Sequence, residues 1–276
     1  MGDSNMAKVL VVTSGKGGVG KTTSTAALGA ALASAGKNVV LIDFDVGLRN
    51  LDLVMGAERR VVYDLINVVQ GDAKLAQALI RDKRVPTLSL LPASQTRDKD
   101  ALSDEGVSRV IAELKEKFDW VICDSPAGIE RGATLAMRHA DVAIVVTNPE
   151  VSSVRDSDRI IGLLDSKTER AEKGERVEKH LLLTRFDAVR AGRGEMLNVE
   201  DVLEILSIPL LGIIPESSEV LRASNLGSPI TLNNPASAAA RAYFDAAKRL
   251  NGEALDMTIP SDRKGLFGKL FGRRAA

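Results

Sequence analysis

Seven short runs of this chain are almost wholly apolar and do not alternate: Lys8–Ser14, Asn38–Asp45, Leu88–Ser94, Asp119–Pro126, Asp141–Pro149, His180–Asp187 and Leu210–Ser217. A strand with one wet face alternates apolar and polar residues. Continuous Val, Ile and Leu mark strands covered on both faces, as in a parallel sheet. Stretches of helical character separate the runs: Lys21–Ala35, Val61–Gln70, Asp104–Lys117, Ala133–His139, Ser153–Ser166, Val199–Leu206 and Ala236–Leu250. Strand followed by helix, repeated, predicts an α/β fold: a doubly wound, mostly parallel sheet flanked by helices. The 276 residues hold no repeat and no low-complexity tract. They read as one domain over residues 1–250, a linker over 251–260 and a tail over 261–276.

The first strand runs straight into Gly15-Lys16-Gly17-Gly18-Val19-Gly20-Lys21-Thr22-Thr23, and the first helix opens at Lys21. This is G-x-x-x-x-G-K-[ST] in the strand–helix context of a P-loop NTPase. The glycines let the backbone turn its N–H groups inward onto phosphate oxygens, and the helix dipole favours the same negative charge. Lys21 is placed to reach the β- and γ-phosphates, and Thr22 to ligate Mg²⁺. Three carboxylates stand where strands end: Asp43 and Asp45 in IDFD, and Asp124 in VICDSP. Ligands gather at strand C-termini in such sheets, so Asp43 and Asp124 are candidate holders of Mg²⁺ or its water. Guanine-specific proteins usually carry N-K-x-D, which this sequence lacks.

The remaining composition narrows the class. Lys+Arg equals Asp+Glu at 37 each, so the chain is no polyelectrolyte for nucleic acid. Cys123 is the only cysteine, which excludes an intrachain disulfide and argues for the cytoplasm. The first residues lack the pattern of a signal peptide, and no apolar run is long enough to span a bilayer.

The loop carries a second lysine, Lys16, that the general motif does not demand. KGGVGKT resembles the deviant Walker A loop of the MinD/ParA family of ATPases. The likeness continues through GLRNLDLVMG, RRVVYDLINVVQGD, LPASQTRDKDAL, CDSPAGIE, TNPEVSSVRDSDRI, HLLLTR and VLEILSIPLLGIIPESSEVLRASN, and so covers most of the chain. These longer segments are similar to the branch that positions bacterial division. The plasmid-partition and flagellar-number branches share the loop and stay as alternatives. The nitrogenase iron protein shares it too, but a single cysteine does not suit a cluster.

The resemblance implies an ATPase that uses ATP and Mg²⁺. It implies that Lys16 reaches across an ATP-bound homodimer to the partner's nucleotide, and that Asp45 serves hydrolysis beside Lys21. It places adenine at later strand ends, around Arg185 and around Pro215-Glu216. It implies the division inhibitor MinC and the hydrolysis stimulator MinE as partners, with cycling between the cytoplasm and the inner face of the cell membrane.

The tail, KGLFGKLFGRR, carries five Lys/Arg against one Asp from Ser261 onward, a net +4 that leaves −4 on the rest. At helical spacing Leu266, Phe267, Leu270 and Phe271 share one sector, with Lys264 and Lys269 flanking it. That pattern predicts a helix lying on an anionic lipid surface, as the family resemblance also implies. Burying each Leu or Phe gains roughly 1.5–3 kcal/mol at most. Ordering some ten residues costs about 1–2 kcal/mol each. One tail should therefore bind weakly, and two on one dimer gain an avidity of about 10²–10⁴.

Overall fold

The computed structural model describes residues 7–95 and 101–260. The strands are β1 (Lys8–Thr13), β2 (Val39–Asp43), β3 (Ile80–Arg81), β4 (Leu88–Leu91), β5 (Trp120–Asp124), β6 (Val142–Thr147), β7 (Glu178–Phe186) and β8 (Leu210–Pro215). They form one sheet in the order β3-β4-β2-β5-β1-β6-β7-β8. Every pairing is parallel except β3 with β4. All seven apolar runs are strands. The two-residue edge strand β3 is too short to carry a pattern, and only its hairpin with β4 creates it.

Burial explains the missing alternation. Val9, Val11, Val40, Ile42, Val121 and Cys123 enter one core layer. Leu10, Val12, Val39, Leu41, Trp120 and Ile122 enter the other. Successive residues point to opposite faces, and both faces are covered.

The helix after the phosphate loop, Lys21–Ser34, is buried along most of its length. Its sequence TAALGAALAS is small-residue-rich because it is wedged between the sheet and the last helix, Ala238–Leu250. A Cβ on Gly29 would lie 2.4 Å from Leu41 Cδ2, so this helix could not sit as close with a side chain there. Sequence reading starts one helix at Val61, but it begins at Leu65. Asp64 caps it by accepting from Asn67 N–H at 3.1 Å, while Asn67 Oδ1 accepts from Asp64 N–H at 3.1 Å. That reciprocal box outweighs the apolar pattern before it. Several short helices fall outside the stretches the sequence marks as helical, among them Leu51–Val54, Ser218–Asn225 and Ile230–Asn233.

The domain helix ends at Leu250, and residues 251–260 carry no regular structure apart from a turn at its start. They are nevertheless tied down. Arg249 donates to Leu211 O on β8 at 2.9 Å, and to Leu255 O and Asp256 O at 3.1 and 2.8 Å. The tail residues Lys264, Leu266, Phe267, Lys269, Leu270 and Phe271 lie outside the described residues. Among the described residues, no helix is long and apolar enough to cross a membrane.

Cys123 is buried inside β5, and desolvation, followed by the charge of Asp124, pushes its thiol far up. The native chain should therefore leave its thiol unmodified by an aromatic disulfide reagent and react only once denatured; rapid native labelling would contradict this packing.

Candidate functional site

The loop between β1 and helix Lys21–Ser34 takes its shape from backbone that few residues could adopt. Gly18 and Gly20 have φ of +77° and +96°. Gly15 is required for a different reason: a Cβ there would lie 2.3 Å from the main chain of Asp156 in helix Val151–Leu164. Ser14 Oγ donates to Lys16 O at 2.8 Å and folds the loop on itself. Thr184, at the end of β7, holds it from outside, its buried hydroxyl 2.7 Å from Val19 O and 3.1 Å from Thr147 O. No side chain caps this 14-residue helix, and its first turn has no acidic residue. Its N–H groups and dipole are left for an anion. Lys21, Thr22 and Thr23 line a cleft of about 620 Å³ with Gly17, Gly18 and Gly20.

Of the three strand-end carboxylates Asp45 lines that cleft, while strand register sets the buried Asp43 and Asp124 together. β2 and β5 are neighbours, and Asp43 stands opposite Asp124. Asp124 accepts from Thr25 Oγ1 at 3.0 Å and from the Thr22 hydroxyl. Burial pushes it up to about 6, against the opposing pull of Lys21 and the two hydroxyls. Burial and then the charge of Asp124 raise Asp43 well above the usual carboxylate range. Asp43 is buried and does not line the cleft. Its Oδ1 accepts from Asp45 N–H at 2.8 Å and its Oδ2 from Leu51 N–H at 3.2 Å. It therefore fixes both ends of the loop that carries Asp45, and Asp45 lines the cleft.

Hard oxygens are what Mg²⁺ takes, and Thr22 and Asp124 supply them side by side. Among the described residues no cluster of three or more His, Cys, Asp or Glu could hold a metal. That donor set fits an ion that arrives with phosphates and water rather than one caged by protein.

Beside the cleft lies a second cavity of about 530 Å³. Arg185, Pro215 and Glu216, the residues expected around a base, line it, and Gly20, Thr23, Arg185 and Ser224 border both spaces. Sequence reading missed Tyr243 and helix Ser218–Asn225, which form the far walls. Tyr243 OH lies 2.9 Å from Ser24 Oγ, linking the last helix to the phosphate-loop helix. No signal at position 243 could reveal this, because the partner is 219 residues away. A larger open groove of about 960 Å³ lies at the N-terminal ends of β7 and β8, away from the phosphate loop.

Lys16 does not line either cavity. Its Nζ donates to Glu150 Oε2 and Ser152 Oγ, both at 3.1 Å, at the start of helix Val151–Leu164. The hydrogen bond from Lys16 holds the Glu150 carboxyl below its ordinary range. Around the cleft the rim is apolar and open: Leu48 and Leu221 are 67% and 66% exposed, and Leu53, Ile129 and Val151 are exposed as well.

Residues 10–230 match the CobQ/CobB/MinD/ParA nucleotide-binding domain family. The septum site-determining protein MinD of Escherichia coli is 60% identical over 270 residues, covering 97% of this chain and all of that protein. The MinC:MinD cell division protein complex of Aquifex aeolicus superposes with a TM-score of 0.82 at 43% identity, covering 91% of this chain and 99% of that one. The septum site-determining protein MinD of Pyrococcus horikoshii, complexed with Mg-ADP, gives 0.78 at 32% identity, covering 89% and 96%.

The raised carboxyls set a pH dependence. Asp43 and Asp124 bind protons more readily folded than unfolded, so both weaken the native state when ionised, and the Asp124 part is relieved as pH falls from about 6 toward 4. In nucleotide-free, magnesium-free buffer, this pair should add to the thermal midpoint as pH drops from 7 to 5. Asp124→Asn should flatten that slope, and an unchanged slope would refute the assignment.

Proposed function

Because this chain belongs to the CobQ/CobB/MinD/ParA nucleotide-binding family, on its septum-site-determining MinD branch, we propose that it is a membrane-cycling ATPase. It dimerises on ATP, recruits MinC, and is released by MinE-stimulated hydrolysis, so placing the division site. The observation that carries this reading is Lys16: a phosphate-loop lysine turned out of its own cleft, on a rim of exposed apolar side chains.

Each residue has a task in that reaction. The loop N–H groups and Lys21 bind the β- and γ-phosphates. Thr22 and Asp124 hold Mg²⁺, which when bound neutralises charge on the transferring phosphoryl group. Asp43 keeps the Asp45 loop in place, and its remaining lone pairs suit Mg²⁺-bound water. Asp45 orients the attacking water. Arg185, Pro215 and Glu216 contact the base, with Tyr243 behind it. The Mg-ADP complex of the Pyrococcus relative supports nucleotide and Mg²⁺ at this cleft.

Lys16 must leave Glu150 and Ser152 to reach a second nucleotide. That pair is exposed, so breaking it costs little. A cation supplied in trans stabilises phosphate charge only when two chains meet, which couples dimerisation to ATP. Burying Leu48, Leu53, Ile129, Val151 and Leu221 supplies the apolar part of such a contact. The MinC:MinD complex of the Aquifex relative supports MinC as the partner of that dimer. Arg249, by pinning residues 255 and 256 to β8, starts each tail from a fixed point on the domain. Two tails then hold an anionic bilayer that one does not.

In co-sedimentation with anionic vesicles, ATP should drive the full chain onto lipid while ADP does not. Removal of residues 261–276 and Lys16→Ala should each lose that binding by a factor of about 10² or more. Vesicle binding that ignores the nucleotide would overturn the cycle. Capture of DNA with a steep salt dependence would instead return the partition reading.

A further inference from the structure

The nucleotide cleft is walled by two short helices that have no length to hold themselves in place. Helix Leu51–Val54 follows the Asp45 loop, and its Leu53 and Val54 face the cleft. Helix Ser218–Asn225 faces it from the base side, with Val220 and Leu221 on the base cavity, Asn225 on the phosphate cleft and Ser224 on both. Helices this short are marginal without outside ties.

Their C-terminal turns meet each other directly. Gly56 and Gly227 both have φ of +64°. A Cβ on Gly56 would lie 2.5 Å from Gly227 O, so the two backbones cross with no side chain between them. Over that crossing sits one guanidinium. Arg84, in the hairpin between β3 and β4, donates through Nη2 to Met55 O at 3.1 Å. Its Nη1 donates to Ser228 Oγ at 2.9 Å and to Gly227 O at 3.3 Å.

The same guanidinium is fixed from behind by its own turn. Asp82 accepts Nε–H on Oδ1 at 3.1 Å and Nη2–H on Oδ2 at 2.6 Å. Asp82 Oδ1 also accepts the Arg84 and Val85 backbone N–H groups at 2.7 and 3.2 Å. The fork is thus preset before it touches either helix. Its planar array of donors serves three acceptors on two segments, which a lysine ammonium could not reproduce in this geometry.

We propose that Arg84 is a positioning residue for the nucleotide site: it bolts the two cleft-walling helices together, so that the base wall and the Asp45 loop are set as one unit. This rests on the reading of the cleft as an ATP site. Movement at the crossing displaces Leu51, whose N–H is held by Asp43, and with it the Asp45 loop. The same movement shifts Val220, Leu221 and Ser224 away from the base.

The test uses the full chain with Arg84→Met, which keeps the aliphatic stem and removes the donors, and compares ADP with inorganic tripolyphosphate, which has no base. ADP affinity and kcat should each fall roughly 10-fold or more. Tripolyphosphate affinity at the phosphate loop should stay at the wild-type value. Arg84→Lys should not rescue. Gly56→Ala leaves Arg84 intact but wedges the crossing, and should reproduce the ADP-selective loss. Should Arg84→Met fail to fold, Ser228→Ala removes one arm alone and should give a milder loss of the same kind. Equal losses for ADP and tripolyphosphate, or wild-type ADP affinity in both Arg84→Met and Gly56→Ala, would overturn the proposal. A wild-type chain that binds neither ADP nor tripolyphosphate would instead defeat the ATP-site reading itself.

Discussion

Two carboxylates, Asp43 and Asp124, stand opposite each other at the ends of neighbouring parallel strands, both buried. Parallel register puts them there, since strands that run the same way deliver their C-terminal residues to one edge. Like charges so close and so dry are costly unless cations or donors meet them. Much of the nucleotide end answers that cost. Lys21 approaches Asp124, Thr22 and Thr25 donate to it, and Asp43 is satisfied by main-chain N–H groups. A buried pair of carboxyls of this kind fits the proposed role beside a cation, whose charge would offset their mutual repulsion.

Close backbone approach is the second organising device. Gly15 lets the phosphate loop touch helix Val151–Leu164, and Gly29 lets its helix sit against Leu41. The Gly56–Gly227 crossing does the same for the helices around the cleft. Each contact removes a side chain that would otherwise act as a spacer. The loop is therefore gripped on several sides, by Thr184, Ser14 and Asp156, rather than lying as a free turn. Electrostatic stabilisation of a phosphoryl group depends on such preset donors.

The parts proposed to act between molecules are held more lightly. Lys16 is kept by an exposed pair with Glu150, and the rim around it is apolar and open. Buried pairs here hold the site's geometry, whereas this exposed one can be exchanged at little cost. That division of labour suits the proposed cycle, in which lipid and partner contacts come and go with the nucleotide.

The sequence by itself determined the sheet, the phosphate loop and its lysines. Those features are written in local pattern: unbroken apolar runs, fixed glycine spacing and carboxylates at strand ends. That Arg185, Pro215 and Glu216 stand at later strand ends was legible too, and the structure sets them around one cavity beside the phosphate loop. Only the tertiary structure decided the rest. Tyr243 against Ser24, Asp43 on the backbone of Asp45 and Leu51, and Arg84 over Met55 and Gly227 join segments distant in the chain or too short to carry a period. Periodicity reports which face of an element is buried, whereas the partner that covers it is chosen by packing across the whole chain.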